Sequence, residues 1–231
     1  MLQLSKVRAI TLDLDDTLWP VWPTIDRAEI LLQDWLRSRA PATAAAFTDP
    51  HQRIALRKAA QERLPHLHHD LSAMRLEMIR LGLEQANEDT ALAQDGFEVF
   101  FAARMQVMLF DDALAGLSRL ASHYPVLAVS NGNADIYRVG IGEHFVGSVS
   151  ARDVGVGKPD PRIFQAAAKA LGVALDEVLH VGDDAHLDVV GAMECGMQAV
   201  WINRSDHLWT HPQAPHAEAT TMLELCDLLK I

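Results

Sequence analysis

The chain has few cysteines, no long apolar run and no apolar segment at its N-terminus, and these features limit the class of protein that it can belong to. It has only two cysteines, Cys195 and Cys226, and both lie in apolar helical patterns. This favours buried free thiols over a disulfide or a cysteine metal site. No apolar run reaches the roughly 18 residues of a membrane span. The stretch from Met1 to Lys6 lacks the apolar core of a secretory signal. We therefore expect a soluble, cytoplasmic protein with no membrane partner.

Positive charge is also scarce. Lys and Arg number 20 against 31 Asp and Glu, and the formal net charge is -11. A nucleic-acid partner is not expected, because binding to the phosphate backbone needs a basic face. An acidic enzyme with an anionic substrate must supply local positive charge in another way, and a bound metal ion is an economical source.

Short apolar runs alternate with helical patterns along much of the 231-residue chain. The alternation predicts an α/β fold with a doubly wound parallel sheet. The runs predicted as strands are Val7–Leu12, Val126–Val129, Val146–Val149, Val178–Val181 and Ala199–Ile202. The helical patterns between them include Ala113–Ser122, Arg162–Leu171 and Leu187–Cys195.

Residues typical of helix starts and helix ends support this assignment. Asp160 is a predicted cap with Pro161 at the first helical position, and Gly172 and Gly196 are predicted to end helices. Residues 18–108 contain no convincing strand, and their apolar residues recur at helical spacing. We interpret them as a helical insertion that ends before a cap at Asp111-Asp112. Residues 203–215 are expected to form a surface loop before a last short strand and helix.

The most informative segment is Asp13-Leu14-Asp15-Asp16-Thr17, directly after the first predicted strand. Two carboxylates separated by one residue leave a strand end on the same side. Three further polar segments follow later strands, and the carboxyl ends of such strands are where open α/β sheets bind ligands. These segments are Ser130-Asn131-Gly132-Asn133, Gly157-Lys158-Pro159, and Gly182-Asp183-Asp184 with Asp188 one turn onward.

The residue types at these positions suggest a division of labour. Asp13 is a plausible nucleophile, because carboxylates form aspartyl-phosphate intermediates. Asp15 can protonate a leaving oxygen and later deprotonate the attacking water. Lys158 can neutralise charge on the phosphoryl group and on Asp13. Ser130 and the backbone N–H groups after it, at Asn131 and Gly132, can hold phosphoryl oxygens.

Carboxylates in this set also suit a hard cation. Asp13, Asp183 and the carbonyl of Asp15 can bind Mg²⁺, which prefers oxygen ligands. Asp188 and Asp184 are candidates for orienting the metal site or Lys158. Each piece has an ordinary alternative: Ser130 as a turn residue, Lys158 as a surface charge, and Asp183-Asp184 as a helix cap. The appearance of all four segments in order, each at a predicted strand end, favours catalysis.

With these four motifs the chain resembles the haloacid dehalogenase superfamily of phosphatases over essentially its whole length. The resemblance implies a Rossmann-like core formed by residues 1–17 and 109–231, Mg²⁺ dependence, and a helical cap formed by residues 18–108. It also implies a phosphomonoester hydrolase. The founding dehalogenases lack the second aspartate of the first motif, so the presence of Asp15 favours phosphate esters over carbon–halogen bonds.

A closer likeness concerns a bacterial branch implicated in removing phosphate from flavin mononucleotide or from the phosphorylated ribitylaminouracil precursor of riboflavin. It rests on three segments, residues 131–135, 179–184 and 191–199. Substrate choice should lie in the cap. The expected partner is a small phosphomonoester, and the expected state is a monomer or a homodimer. A haloacid dehalogenase, a sugar-phosphate mutase and a non-catalytic binding protein on this scaffold are the alternatives.

Two further clusters are compatible with more than one role. His66, His68, His69 and Asp70 are dense enough for zinc, but their spacing fits no standard site and a loop is favoured. Trp19 and Trp22 follow the first motif and could stack on a planar substrate, although buried packing is the commoner role of large aromatic residues.

Overall fold

The computed structural model describes residues 1–231 and divides into two compact units. The core unit comprises residues 1–20 and 108–231, and the helical unit comprises residues 21–107. The boundaries that the sequence predicts for a core and an inserted cap lie close to these. That the helical unit acts as a cap stays a prediction.

The helical unit contains five helices and no strand. Apolar residues from all five helices form its own core, in which Leu32, Phe47 and Ile79 are fully buried. Its helices are α1 (Val21–Arg39), α2 (Pro41–Thr48), α3 (Pro50–Arg63), α4 (Leu71–Gln85) and α5 (Leu92–Arg104). None of the helices in the chain combines the length and the hydropathy that a bilayer span needs.

The core unit is a six-stranded, all-parallel sheet with the order β3-β2-β1-β4-β5-β6. Its strands are β1 (Ala9–Leu12), β2 (Val126–Ser130), β3 (Gly147–Ser150), β4 (Val178–Gly182), β5 (Gln198–Ile202) and β6 (Ala217–Ala219). The four strands β1, β2, β4 and β5 are buried throughout. Strands of a parallel sheet are covered on both faces, which explains why their sequences are mostly apolar. The predicted α/β fold is confirmed.

Six further α-helices belong to the core unit. They are α6 (Ala113–His123), α7 (Ile136–Val139), α8 (Ala151–Val154), α9 (Pro161–Leu171), α10 (Gly191–Glu194) and α11 (Met222–Leu228). The predicted cap of α9 is present, since Asp160 accepts from the N–H of Arg162 at 3.0 Å and Pro161 opens the helix. Gly172 ends it in the left-handed region with φ of 69°.

Three details differ from the sequence predictions. The first strand begins at Ala9 rather than Val7. The helix predicted over 187–195 is a π-helical segment, Ala185–Val190, followed by the short α10. Asp112 precedes α6 but its carboxylate does not cap it, because that group binds Arg204 and the N–H of Met222 instead. Cys195 and Cys226 are free thiols; Cys226 is buried, as predicted, whereas Cys195 is only half-buried.

Candidate active site

The predicted site residues of the first, second and fourth motifs meet at one edge of the core sheet. Asp13 directly follows β1, Ser130 is the last residue of β2, and Asp183 directly follows β4. The N–H of Asp13 donates to the carbonyl of Val181 at 2.9 Å, which continues the pairing of β1 with β4. Because the strands are parallel, their carboxyl ends bring these side chains together.

Lys158 occupies the centre of the site and is buried. Its ammonium donates to Asp13 Oδ1, to Asp188 Oδ1 at 2.5 Å and to the carbonyl of Val129 at 3.0 Å. An ammonium has three donors, so each N–H of Lys158 has one acceptor. The alternative of Lys158 as a solvated surface charge is wrong, since its side chain is 3 % exposed.

The main chain around Lys158 is held by Asn131. The Asn131 amide nitrogen donates to the carbonyl of Lys158 at 2.9 Å, and its amide oxygen accepts from the Lys158 N–H at 2.6 Å. A side chain at Gly157 would place a Cβ 2.6 Å from the same amide oxygen, so only glycine leaves room for this contact. The Asn131 side chain thus positions Lys158.

Asp188 is fixed by donors from three directions. Its Oδ1 accepts from Lys158 and lies 3.1 Å from Nε2 of His180, and its Oδ2 accepts from the N–H of Asp184 at 3.0 Å. A Cβ at Gly182 would lie 2.3 Å from the Asp188 carboxyl carbon. Close packing against the end of β4 therefore requires glycine at position 182.

Thr17 links the first motif to the fourth. Its hydroxyl lies 2.9 Å from Asp183 Oδ1 and 3.4 Å from Asp13 Oδ2, so the shorter hydrogen bond goes to Asp183. The main-chain carbonyl of Asp183 in turn accepts from the indole N–H of Trp201 at 2.7 Å. Asp183 is thus held through both its side chain and its backbone.

The loop that carries the second aspartate is tightly wound. The indole N–H of Trp19 donates to Asp15 Oδ1 at 2.8 Å, and the N–H of Asp16 donates to the carbonyl of Trp19 at 2.7 Å. Asp16 has φ of 57°, a left-handed conformation that aspartate tolerates better than most residues. Trp19 is fully buried, whereas Trp22 is 70 % exposed.

The charges of the site do not balance. Three carboxylates, those of Asp13, Asp183 and Asp188, have ligand atoms within 4.8 Å of one another, and Lys158 is the ammonium among them. Burial raises the pKa of Asp13 well above its usual value, and the neighbouring carboxylates add to this while Lys158 opposes it. Burial and Asp188 raise the pKa of Asp183 to about 7.

The pair formed by Lys158 and Asp188 has the opposite character. Burial alone would raise the pKa of Asp188, but Lys158 and His180 lower it to about 2. Burial alone would lower the pKa of Lys158, but Asp13 and Asp188 raise it above its usual value. This pair is therefore charged, whereas the raised pKa values of Asp13 and Asp183 show that negative charge on these two groups is poorly compensated. A divalent cation between these two carboxylates would neutralise it.

A model of the haloacid dehalogenase-like hydrolase family matches residues 7–196, which include Asp13, Asp15, Lys158, Asp183 and Asp188. The chain belongs to this family. The recognition from four motifs and the prediction of an enzyme of the phosphatase class are confirmed.

Several proteins of stated activity are similar to this chain over most of its length. It is 33% identical to 5-amino-6-(5-phospho-D-ribitylamino)uracil phosphatase YigB of Escherichia coli (strain K12), with 98% of both chains covered. It is 35% identical to phosphoserine phosphatase of Thermus thermophilus, over 68% of this chain and 63% of that protein. A crystal structure named 2-haloacid dehalogenase from Pseudomonas syringae pv. Tomato DC3000 matches with a TM-score of 0.92 at 34% identity, covering 97% of this chain and 98% of that one.

Among the residues at or beside this haloacid dehalogenase-like site that were not assigned a role from the sequence are His180 and Arg204. His180 reaches Asp188 from the middle of β4, within an apolar strand that gives no sign of a polar network. Arg204 donates from Nε to the carbonyl of Thr17 at 2.9 Å and binds Asp112 with both terminal nitrogens. It lies in the segment predicted as a surface loop, where an arginine carries no distinguishing signal.

Other predicted candidates lie outside the site or have other partners. The Asp184 carboxylate caps the π-helical segment by accepting from the N–H groups of His186 and Leu187. Asp70 caps α4 by accepting from the N–H of Ala73. The cluster of histidines before Asp70 is not among the groups whose atoms could share a metal ion.

Proposed function

We propose that this protein is a Mg²⁺-dependent phosphomonoester hydrolase that uses Asp13 as its nucleophile. The observation that carries the proposal is the buried contact of the Asp13 carboxylate with the Lys158 ammonium, beside Asp183 and at the carboxyl edge of the sheet. Lys158 offsets the repulsion between an anionic nucleophile and an anionic phosphoryl group. The site also retains Asp15, the carboxyl group that a hydrolytic cycle needs.

The proposed reaction has two halves. In the first, an Asp13 oxygen attacks phosphorus, the ester P–O bond breaks, and Asp15 donates its proton to the leaving oxygen. In the second, Asp15 takes a proton from water, the water oxygen attacks the aspartyl-phosphate phosphorus, and Asp13 leaves as a carboxylate. The hydrogen bond from Trp19 supports this role of Asp15 by orienting its carboxyl group.

Phosphate oxygens are proposed to be bound at the end of β2. The Ser130 hydroxyl oxygen accepts from the N–H of Gly132 at 2.9 Å, which orients the hydroxyl and leaves its own hydrogen to be donated. Because the amide of Asn131 is committed to the main chain of Lys158, the contribution of Asn131 to phosphate binding is assigned to its backbone N–H.

The residues of the site fit a magnesium ion. The protein compensates negative charge on Asp13 and Asp183 poorly, and the pKa values of both groups are therefore raised. We assign these two carboxylates and the carbonyl of Asp15 as ligands, since Asp188 is already bound by Lys158, His180 and the Asp184 backbone. A bound magnesium ion supplies electrostatic stabilisation of the phosphoryl group.

For the substrate we propose 5-amino-6-(5-phospho-D-ribitylamino)uracil, with flavin mononucleotide as the second compound to test. The proposal is supported by the relative from Escherichia coli, whose name states this activity and which is matched along its whole length. We further propose that the helical unit is the cap of this enzyme and selects among phosphate esters.

Phosphate release from a panel of esters tests the proposal. The panel contains both riboflavin-related compounds, phosphoserine, phosphoglycolate and sugar phosphates, each with Mg²⁺. Asp13→Asn is the blank, since it removes the nucleophile but keeps the shape of the side chain, and we expect it to be inactive. Preference for the ribitylaminouracil ester would support the substrate, whereas broad weak activity would support only the chemistry. Turnover by Asp13→Asn within a few-fold of wild type would refute the mechanism.

Metal binding has a separate test. Asp183→Asn keeps the size of the side chain and its hydrogen bond with Thr17, but removes a proposed anionic ligand. We expect calorimetry to show Mg²⁺ affinity lowered by about 10-fold or more, by analogy with losses at other metal sites. Asp184→Asn is the matched control, since the Asp184 carboxylate caps a helix. Equal Mg²⁺ affinity in the two variants would contradict the ligand assignment.

A dehalogenase is the second candidate, because the Pseudomonas syringae structure carries that name. Its prediction is halide release from a 2-haloacid without added metal. The presence of Asp15 in a hydrogen bond with Trp19 favours phosphate hydrolysis, which requires proton transfer to a leaving oxygen. Halide release that does not depend on Mg²⁺, in a protein inactive on all phosphate esters, would reverse this order.

A further inference from the structure

A chain of buried polar groups runs from the interior of the sheet to the proposed nucleophile. Thr11 on β1 and His180 on β4 are paired in register, and both are fully buried. Thr11 Oγ1 lies 2.8 Å from Nδ1 of His180, and Nε2 of His180 lies 3.1 Å from Asp188 Oδ1. Each ring nitrogen therefore has one polar partner inside the core unit.

The partners define the roles of the two nitrogens. An ionised carboxylate only accepts hydrogen bonds, so Nε2 carries the hydrogen that is donated to Asp188. Burial lowers the pKa of His180, which favours a neutral ring. In that tautomer Nδ1 accepts from the hydroxyl of Thr11. The ring of Phe164 lies edge-on at 5.2 Å between centroids and restricts the imidazole from the side.

His180 reaches the nucleophile through two intermediates. Asp188 Oδ1 accepts hydrogen bonds from both His180 and Lys158. The orientation of this carboxylate therefore determines the position of the Lys158 ammonium. The ammonium in turn has its remaining contacts with the carbonyl of Val129 and with Asp13. Loss of the His180 donor would leave Asp188 less restrained, and Lys158 would follow it.

We propose that His180, held by Thr11, is a positioning residue that orients Asp188 and thereby holds Lys158 against Asp13. The inference rests on the proposed phosphatase function. His180 itself is remote from substrate, since it is enclosed within the sheet. A histidine that served only to fill space would have no need of a fixed donor toward Asp188.

Two substitutions of His180 by amide side chains distinguish a positioning role from a packing role. Glutamine at position 180 extends its amide to about the place of Nε2, whereas asparagine reaches only the place of Nδ1. With p-nitrophenyl phosphate and saturating Mg²⁺, we expect His180→Asn to lower kcat by about 10- to 100-fold, the range found when a supporting hydrogen bond at a metal site is removed. We expect His180→Gln to stay within about 5-fold of wild type, and KM to change little in either.

Equal kcat values for the two variants, or an Asn variant within about 2-fold of wild type, would overturn the proposal. Thr11→Val keeps the shape of the strand residue and serves if His180→Asn does not fold. It should lower kcat by about 2- to 10-fold without a comparable change in KM. An unchanged kcat in Thr11→Val would also count against the proposal.

A spectroscopic measurement works without turnover. In wild-type protein labelled with ¹⁵N-histidine, NMR should show His180 with a hydrogen on Nε2 that exchanges slowly with solvent, and Nδ1 without a hydrogen. A hydrogen on Nδ1 would overturn the inference. If wild type released no phosphate from any ester but showed this Nε2–H, the proposed function would fail while the assigned geometry stood.

Discussion

Both units of the molecule contain networks of paired charges, but the two networks differ in burial. In the core unit, the side chains of Lys158, Asp13 and Asp188 are 3, 9 and 2 % exposed. In the helical unit, Arg63 and Arg80 pair with glutamates while remaining 46 and 36 % exposed.

The degree of burial distinguishes the network at the proposed active site from the network in the helical unit. Removing charges from water is costly, and a buried pair repays that cost only when its geometry is fixed by further hydrogen bonds. The core network has such bonds and still leaves Asp13 and Asp183 with raised pKa values. The arginines of the helical network are solvated and screened by salt, although their partner Glu77 is buried, so each pair is expected to contribute less to stability than the pairs of the core network.

The largest loss of stability is expected for Lys158→Met, which removes the ammonium from among three clustered carboxylates. We expect the free energy of unfolding to fall by about 3 to 5 kcal/mol, because buried charge is left uncompensated. Phosphate release should fall by at least about 100-fold, as when an electrostatic donor is removed from an active site. Urea denaturation followed by circular dichroism measures the first effect.

Asp13→Asn is the matched control for stability. Asp13 has a raised pKa in the folded protein, so its ionisation near neutral pH opposes folding. Asparagine removes that charge, and the free energy of unfolding should stay equal or rise. If Lys158→Met and Asp13→Asn lowered the free energy of unfolding equally, the loss could not be attributed to uncompensated buried charge.

Glycine substitutions compare the packing of the two units. Gly182→Ala would place a Cβ 2.3 Å from the Asp188 carboxyl carbon, and Gly96→Ala in α5 would place one 3.1 Å from the Trp35 ring. We expect Gly182→Ala to cost about 1 to 3 kcal/mol, because overpacking forces a fixed group to move. Gly96→Ala should cost less, since alanine is the better helix former. The reverse order in thermal or urea unfolding would contradict this.

The fold was predictable from the sequence because its strands are continuous apolar runs between helix caps. Asp160, Pro161 and Gly172 mark α9 by local chemistry alone, and the structure reproduces that prediction. The carboxylate of Asp112 was not predictable in the same way. Its partner Arg204 is distant in sequence, and a long-range ion pair overrides the local preference of aspartate to cap a helix.

The ion pair between Asp112 and Arg204 predicts a pH-dependent effect on stability that is of intermediate size. Burial alone would raise the pKa of Asp112, but Arg204 and the N–H of Met222 lower it below its usual value. Its contribution to stability is therefore present above the unfolded-state pKa of about 4 and is lost as pH falls through the lower folded-state pKa. We expect Asp112→Asn to cost about 1 to 2 kcal/mol at pH 7.

Urea unfolding at several pH values tests the sign. The difference between wild type and Asp112→Asn should be constant from about pH 7 to 5 and should begin to shrink near pH 4. A difference that grew as pH fell would contradict the assigned pKa direction. Asp111→Asn is the neighbouring control, because the ion pair of Arg204 is formed with Asp112 and Asp111 is exposed.

The smallest effect is expected in the helical unit. Arg80→Ala removes contacts with Glu77 and Glu84 at 2.6 Å, but the arginine is more than a third exposed. The free energy of unfolding should fall by less than about 1 kcal/mol, and about 1 M salt should reduce the difference. A loss as large as that of Lys158→Met would erase the distinction between the two networks.

The sequence singled out candidate residues that lie at strand ends, but it did not single out His180 and Thr11, which contact other side chains inside the sheet. Asp13 and Asp183 come together because parallel strands end at one edge. His180 and Thr11 lie inside strands, where a polar residue looks like a tolerated exception in an apolar run. Only the register of β1 against β4 shows that they pair.

The junction near Arg204 has a consequence for how the chain tolerates change in length. The N–H of Phe110 donates to the carbonyl of Leu18 at 2.9 Å, and Arg204 stacks on the ring of Phe110 at 4.0 Å. The two segments of the core unit that flank the helical unit in sequence, near Leu18 and Phe110, are thus hydrogen-bonded to each other. Because the entropy of closing a loop grows only slowly with its length, helices can be added to or removed from the intervening segment at little cost to the sheet.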